Sequence, residues 1–223
     1  MLRGIRSYVK RQGRESSSQQ RALKELWPLF GIDYAEQLLE LNHIFQREAP
    51  RTLEIGFGNG ANLLTQASAH PESDFIGIDV YRAGAGTLLL GIEANQLTNL
   101  RVISHDAVLV LQHMIPDASL EKILILFPDP WHKKRHHKRR LISPSFIALL
   151  HQKLKPGGHV HLATDWEDYA LQMMELFSAA PGFTNQAGPG NYHQNPERIT
   201  TKFETRGRNL GHGVWDLLFT KIE

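Results

Sequence analysis

The 223-residue sequence predicts an α/β fold, a mostly parallel, doubly wound sheet with helices on both faces. Three observations predict it. After Pro50, short apolar runs alternate with longer stretches of helical periodicity. The first run opens into a loop with glycine at every second position, and the next three runs each lead into an aspartate. In such sheets ligands bind beyond the carboxyl ends of the strands, so the loop and the aspartates should share one edge.

In chain order, residues 1–24 carry Arg3, Arg6, Lys10, Arg11, Arg14, Arg21 and Lys24 against Glu15 alone, which reads as a basic N-terminal arm before a single domain over 25–223. The arm lacks an apolar core of about 7 to 15 residues, which excludes a secretory signal but leaves a transit peptide open. From 22 to 49 the pattern is helical, with Leu38, Leu41, Ile44 and Phe45 spaced at three and four, and it ends before Pro50. Strand-like runs follow at 52–55, 75–78, 101–103, 123–127 and 160–163. Helical stretches lie between and after them at 61–69, 87–96, 107–114, 144–154 and 167–180. Phe203 and the run 214–220 read as a closing pair of strands.

Composition narrows the function. With no cysteine, disulfides, thiolate zinc, iron-sulfur clusters and a cysteine nucleophile are excluded, and a reducing, cytoplasmic setting fits. The longest uncharged apolar stretch, 83–92, is about half a membrane span. Net charge is only +2, yet Lys133, Lys134, Arg135, Lys138, Arg139 and Arg140 fall within eight residues without an acid. Outside this run and the arm, 12 basic residues face 22 acidic ones. A basic rim on an acidic body suits a polyanion outside and a cationic or hydroxyl-rich ligand inside.

The loop reads Glu54-Ile55-Gly56-Phe57-Gly58-Asn59-Gly60. Gly56 and Gly58 permit a sharp strand-to-helix turn and close approach of a ligand. A dinucleotide could use such a loop, but the Glu54 carboxylate would repel a pyrophosphate and favour ammonium and sulfonium charge, as in S-adenosylmethionine. Asp79, Asp106 and Asp129 follow successive runs at separations of 27 and 23 residues, one βα unit each. There Asp79 can accept from ribose hydroxyls and Asp106 from an adenine amino group; each aspartate alone is better explained as a cap or turn residue, but four acids in register reverse that preference. Next come Phe127-Pro128-Asp129-Pro130-Trp131-His132 and the cationic run, a proline-braced acid, an aromatic and phosphate-tracking charge. His132 and His136 stand four apart, but the surrounding cations disfavour a metal, and none is expected.

These stretches resemble the bacterial tRNA (guanine-N7-)-methyltransferases. The resemblance extends to 5–14, 163–165, 200–207 and 211–216, so it spans almost the whole chain. It implies a Rossmann-like class I S-adenosylmethionine-dependent methyltransferase fold acting on a guanine of the tRNA variable loop, commonly position 46. It implies that Glu54, Gly56, Gly58, Asp79, Asp106 and Asp129 bind the cofactor and that Asp129 is also catalytic. Lys133, Asp165, Thr201, Lys202, Phe203 and Glu204 would contact substrate, and Arg135, His136, His137, Lys138, Arg139 and Arg140 would contact RNA. Asp79 departs from the pattern, since the family more often has Glu there. The N-terminal match argues against a transit peptide, and no obligate protein partner is evident. The alternatives are transfer to an exocyclic base amine, a dinucleotide-dependent oxidoreductase, and a non-catalytic RNA-binding module.

Overall fold

In the computed structural model of the chain, residues 7–8, 14–194, 198, 204–205 and 213–222 are described. Among them, eight strands form one sheet: β1 (Gly31–Ile32), β2 (Arg51–Ile55), β3 (Asp74–Ile78), β4 (Leu100–Ile103), β5 (Leu120–Leu126), β6 (Leu154–Thr164), β7 (Phe183–Asn185) and β8 (Trp215–Lys221). Their order is β1-β4-β3-β2-β5-β6-β8-β7, parallel throughout except where β8 meets β6 and β7. The winding reverses between β2 and β5, which opens a crevice above those two strands.

Both faces of the central strands are covered, so β2 and β3 are buried at every residue. Alternate strand residues serve opposite cores. Leu53, Ile76, Ile123 and Val160 pack with helices α3 (Leu41–Phe45), α6 (Ala107–His113), α7 (Pro144–Lys153) and α8 (Glu167–Ser178). Phe75, Leu100 and Val102 pack with α1 (Ser17–Glu25), α4 (Ala61–Ala69) and α5 (Arg82–Ala94). The register places Ile55 beside both Ile78 and Ile125, and Ile78 beside Ile103, so four strand ends are level. Whatever follows each of them emerges on one edge.

The segment 22–49, expected to be helical throughout, is not one helical stretch. It divides into the end of α1, the short α2 (Trp27–Phe30), β1 and α3, and Leu38 is 55% exposed. Pro28 sits at the start of α2, where its missing N–H interrupts continuation from α1, and Gly31 is extended. β1 then pairs with β4 and covers that edge of the sheet. At the far edge β8 pairs with β7, and Phe203, expected as its strand partner, lies outside the described residues.

The stretch from Ser17 to Lys24, expected within a basic arm, is docked helix. Ser16 caps it in a reciprocal box with Gln19, and Ala22 and Leu23 are buried. On the other side of this contact, α5 presents glycines. A Cβ at Gly86 would crowd Gln19 of α1, and one at Gly84 would overlap the carbonyl oxygen of Gly58. Among the described residues no helix is long and apolar enough to cross a membrane.

Candidate active site

At the level edge lies a cleft of about 190 Å³ lined by the Gly56–Gly58 loop, Asp79, Tyr81, His105, Phe127 and Asp129, among others, and reached by Ser7 and Tyr8. Gly56 and Gly58 have φ of 79° and 59°, conformations that resist any side chain, and a Cβ at either would meet nothing within 4 Å. The open space above the loop is therefore room for a ligand. Asp79 holds the loop from β3: its carboxylate accepts from the amide of Gly58 at 2.8 Å and from that of Tyr81 at 2.9 Å.

Glu54 lies two residues deeper and does not line the cleft. It pairs in register with Gly77 and Leu124, is 3% exposed, and accepts from Asn62 Nδ2 at 2.7 Å. Burial pushes its carboxyl up to about 7, opposed by the Asn62 bond and reinforced by Asp79. Asp106 does not line the cleft either. It caps α6, accepting from the Val108 amide at 2.9 Å, while its neighbours His105 and Ala107 form the wall. The His105 ring stacks on Tyr34 at 3.9 Å between centroids, 6° from parallel.

Asp129 stands exposed at the cleft between Pro128 and Pro130. The turn that carries it is strained at both ends, because Phe127 and Trp131 have φ of 53° and 50°. Such residues cost of order 1–3 kcal/mol each and persist only where the surroundings enforce them. Trp131 donates from Nε1 to the Ser7 carbonyl at 3.2 Å, and the Arg139 guanidinium lies 4.8 Å from its ring centroid.

The cationic run then forms a 3₁₀ segment, Lys134–Arg139. Lys133, Lys134, Arg135 and Lys138 are exposed, while His136, His137 and Arg139 are half-buried. Burial, and then the neighbouring cations, hold His136 below the usual imidazole range. Arg140 differs from its neighbours. Its side chain is 2% exposed, Nε donates to the Pro130 carbonyl at 2.9 Å, and one terminal nitrogen donates to Asp168 at 2.5 Å. Arg140, expected to contact RNA, is thus buried and bonded within the protein. Asp165 follows β6 half-buried without capping α8, whose cap is Trp166, and the Trp166 ring meets His132 edge to face at 4.2 Å.

Three curated relatives cover nearly all of both chains. A tRNA (guanine-N(7)-)-methyltransferase of Photobacterium profundum is 53% identical over 100% of this chain and 91% of its own. Its counterparts in Aeromonas hydrophila, at 53% over 99% and 94%, and Pseudomonas aeruginosa, at 52% over 100% and 91%, agree. The chain belongs to this family. A family model described as "Putative methyltransferase" also matches residues 48–217. Solved structures share the fold at low identity. The 16S rRNA methyltransferase KamB has a TM-score of 0.60 at 15% identity over 82% of this chain and 92% of its own. The 16S rRNA (adenine(1408)-N(1))-methyltransferase of Catenulisporales acidiphilia has 0.57 at 16% over 86% and 93%.

The cleft fits the family's methyl donor, with open space above the glycine loop, a wall carboxylate in Asp79 and a buried carboxyl beneath in Glu54. Among the described residues no group of three or more His, Cys, Asp or Glu is placed to hold a metal ion. Thr201, Lys202 and Phe203 lie outside the described residues, but Glu204 does not. It is buried and ion-paired with Arg198, which also engages Asp216 through Nε and a terminal nitrogen at 2.7 and 2.8 Å. His161 Nε2 meets Asp216 at 2.7 Å. Burial opposes the charge on Asp216, yet the bonds to His161 and Arg198 hold it below the usual carboxylate range. The Arg198 guanidinium lies 5.2 Å from the Phe127 ring centroid, which ties this network to the Asp129 turn. Sequence reasoning missed Arg198, Asp216 and His161. His161 and Asp216 are single polar residues within apolar strands and Arg198 lies in a polar stretch, which does not reveal partners so far apart in the chain.

Proposed function

We propose that the chain transfers a methyl group from S-adenosylmethionine to N7 of a guanine in tRNA, at position 46 of the variable loop, acting in the cytoplasm without an obligate protein partner. The observation that carries this reading is the exposed Asp129, set on a strained turn at the cleft and followed directly by a cationic surface. The full-length relatives give it its substrate.

The cofactor supplies an electrophilic methyl group on a sulfonium centre. Asp79, which accepts from the Gly58 and Tyr81 amides, also accepts from the ribose hydroxyls. Glu54 acts from beneath the loop, fixing Asn62 and favouring positive charge above it. Asp106 contributes by capping α6, which sets His105 and Ala107 against the base. Guanine N7 already exposes its lone pair, so no general base is required. Alignment and charge stabilisation remain, with reacting atoms about 3 to 3.5 Å apart. Asp129 accepts from the guanine edge and offsets the positive charge that develops on the base as the methyl arrives.

Lys133 and Asp165 position the nucleotide, together with Thr201, Lys202 and Phe203. Glu204 serves by locking Arg198. Lys134, Arg135 and Lys138, with the partly covered His136, His137 and Arg139, meet the phosphates. The arm is the part of the chain before Ser16, and the rest acts as one catalytic domain. The test is incubation of the purified protein with labelled S-adenosylmethionine and unmodified tRNA, followed by nucleoside analysis. Label in N7-methylguanosine is expected, whereas label in an N-methylated exocyclic amine overturns the reading.

A further inference from the structure

The last residue of the cationic run is chemically its most exceptional. A guanidinium offers five N–H donors in a planar fork, and Arg140 directs them inward. Nε bonds the Pro130 carbonyl, one terminal nitrogen bonds Gln172, and the other bonds Asp168 at 2.5 Å and lies 3.1 Å from His137 Nε2. The guanidinium carbon sits 4.7 Å from the centroid of the buried Tyr169 ring, whose hydroxyl in turn accepts from the Ile142 amide at 3.2 Å. A phosphate cannot reach this group without dismantling those bonds.

What Arg140 holds matters more than what it lacks. The Pro130 carbonyl belongs to the peptide plane that leads into Trp131, a residue at φ 50° that would relax by rotating against that plane. At the other end Phe127 has φ 53° and lies beneath Arg198, which is itself anchored on Glu204 and Asp216. The strained turn is thus pinned near each end by a buried arginine, and Asp129 lies between. We propose that Arg140 is a positioning residue for methyl transfer, holding the Asp129 turn through the Pro130 carbonyl while Arg198 steadies its other end. This rests on the role given to Asp129 above.

A lysine keeps the charge but loses the fork that serves Pro130, Gln172 and Asp168 together. Misplacing a reacting group by about 1 Å costs on the order of 10²-fold in rate. Arg140→Lys should therefore lower the single-turnover rate at saturating tRNA and S-adenosylmethionine by roughly 10- to 100-fold, with both dissociation constants and the salt dependence of tRNA binding unchanged. Asp168→Asn, at a 62% exposed position, should give a smaller loss in the same direction. A wild-type rate in Arg140→Lys overturns the proposal. So does weaker tRNA binding with a salt slope reduced by about 0.7 to 0.9, the mark of a lost phosphate contact. If Arg140→Lys does not fold, Asp168→Asn decides, and a wild-type rate there overturns it.

Asp129→Asn run in parallel separates the two readings. Should that variant react like wild type, the role of Asp129 fails, and the brace is then judged by the turn itself. In 5-fluorotryptophan protein the Trp131 fluorine resonance, assigned with Trp131→Phe, should shift or split in Arg140→Lys. An unchanged resonance overturns the brace.

Discussion

The two halves of the cleft are built on opposite plans. On the side of β2, β3 and β4, carboxylates serve the backbone: Asp79 binds the Gly58 and Tyr81 amides, Asp106 caps α6, and Glu54 lies under the loop against Asn62. On the side of β5 and β6, buried arginines flank the turn and the carboxylate it carries is exposed. Arg140 bonds the Pro130 carbonyl and Arg198 lies over Phe127, with Asp129 exposed between them. Residue type therefore does not reveal role here. Asp79 and Asp106 bond backbone amides on one side, whereas on the other Asp129 is exposed and the buried Arg140 bonds a backbone carbonyl.

The sharpest way to break this contrast is Asp129→Ala. If Asp129 is the reagent, single-turnover methyl transfer should fall by roughly 10² or more while cofactor and tRNA dissociation constants hold, with Asp129→Asn intermediate. A parallel loss of binding would make it scaffold after all. Next in size is Asp79→Ala, which removes the acceptor for two amides. Hydrogen bonds to charged groups contribute about 1.5–3 kcal/mol each, so cofactor affinity should fall on the order of 10-fold or more, with tRNA binding nearly intact. Unchanged affinity by titration calorimetry would show that the loop holds itself.

Glu54 offers a pH test. Folding raises its carboxyl from the usual 4.5 to about 7, so between those values the folded protein holds a proton that the unfolded chain releases. This group's contribution to stability is therefore complete below about 4.5 and is lost as pH rises through 7. Glu54→Gln should match wild type in denaturant melts near pH 4 and exceed it by up to roughly 3 kcal/mol at pH 8. A difference that does not change with pH would mean that folding leaves the Glu54 carboxyl at its usual 4.5. The smallest effect belongs to the outer cations. Lys134→Ala with Lys138→Ala should reduce the salt slope of tRNA binding by about 0.7–0.9 per contact and weaken affinity several-fold, leaving the rate at saturation intact.

What the sequence discloses follows from range. The βα rhythm and the level strand ends depend on periodicity within short windows, and Ile55, Ile78, Ile103 and Ile125 lie in register as that rhythm requires. Depth within a strand end is less legible. Glu54 and Asp79 are two steps apart in register, yet only Asp79 reaches the cleft. Arg139 and Arg140 are identical in type and adjacent, and only tertiary packing against Tyr169 and Gln172 separates them. Ser16 and Gln19 form a capping box whose spacing is visible in the sequence, but the charge around it masks the helix in a reading by composition. The Arg198–Asp216–His161 network joins segments too far apart for any local pattern to signal.

Helix α5 lies backbone to backbone between α1 and the glycine loop, touching Gln19 at Gly86 and Gly58 at Gly84. It behaves as a shim of fixed thickness, so the height of the loop is set by how firmly α1 is clamped behind it. That clamp comprises the buried Ala22, Leu23 and Leu26, a bond from Gln19 Nε2 to Thr87 Oγ1 at 2.9 Å, and the outward ion pairs Arg21–Glu93 and Glu15–Arg82, which add little at the surface. On warming, α1 should lift before the sheet yields, and the loop would settle without any ligand contact having been lost. Heat inactivation would then precede melting, with cofactor binding fading while the helical circular dichroism signal still stands.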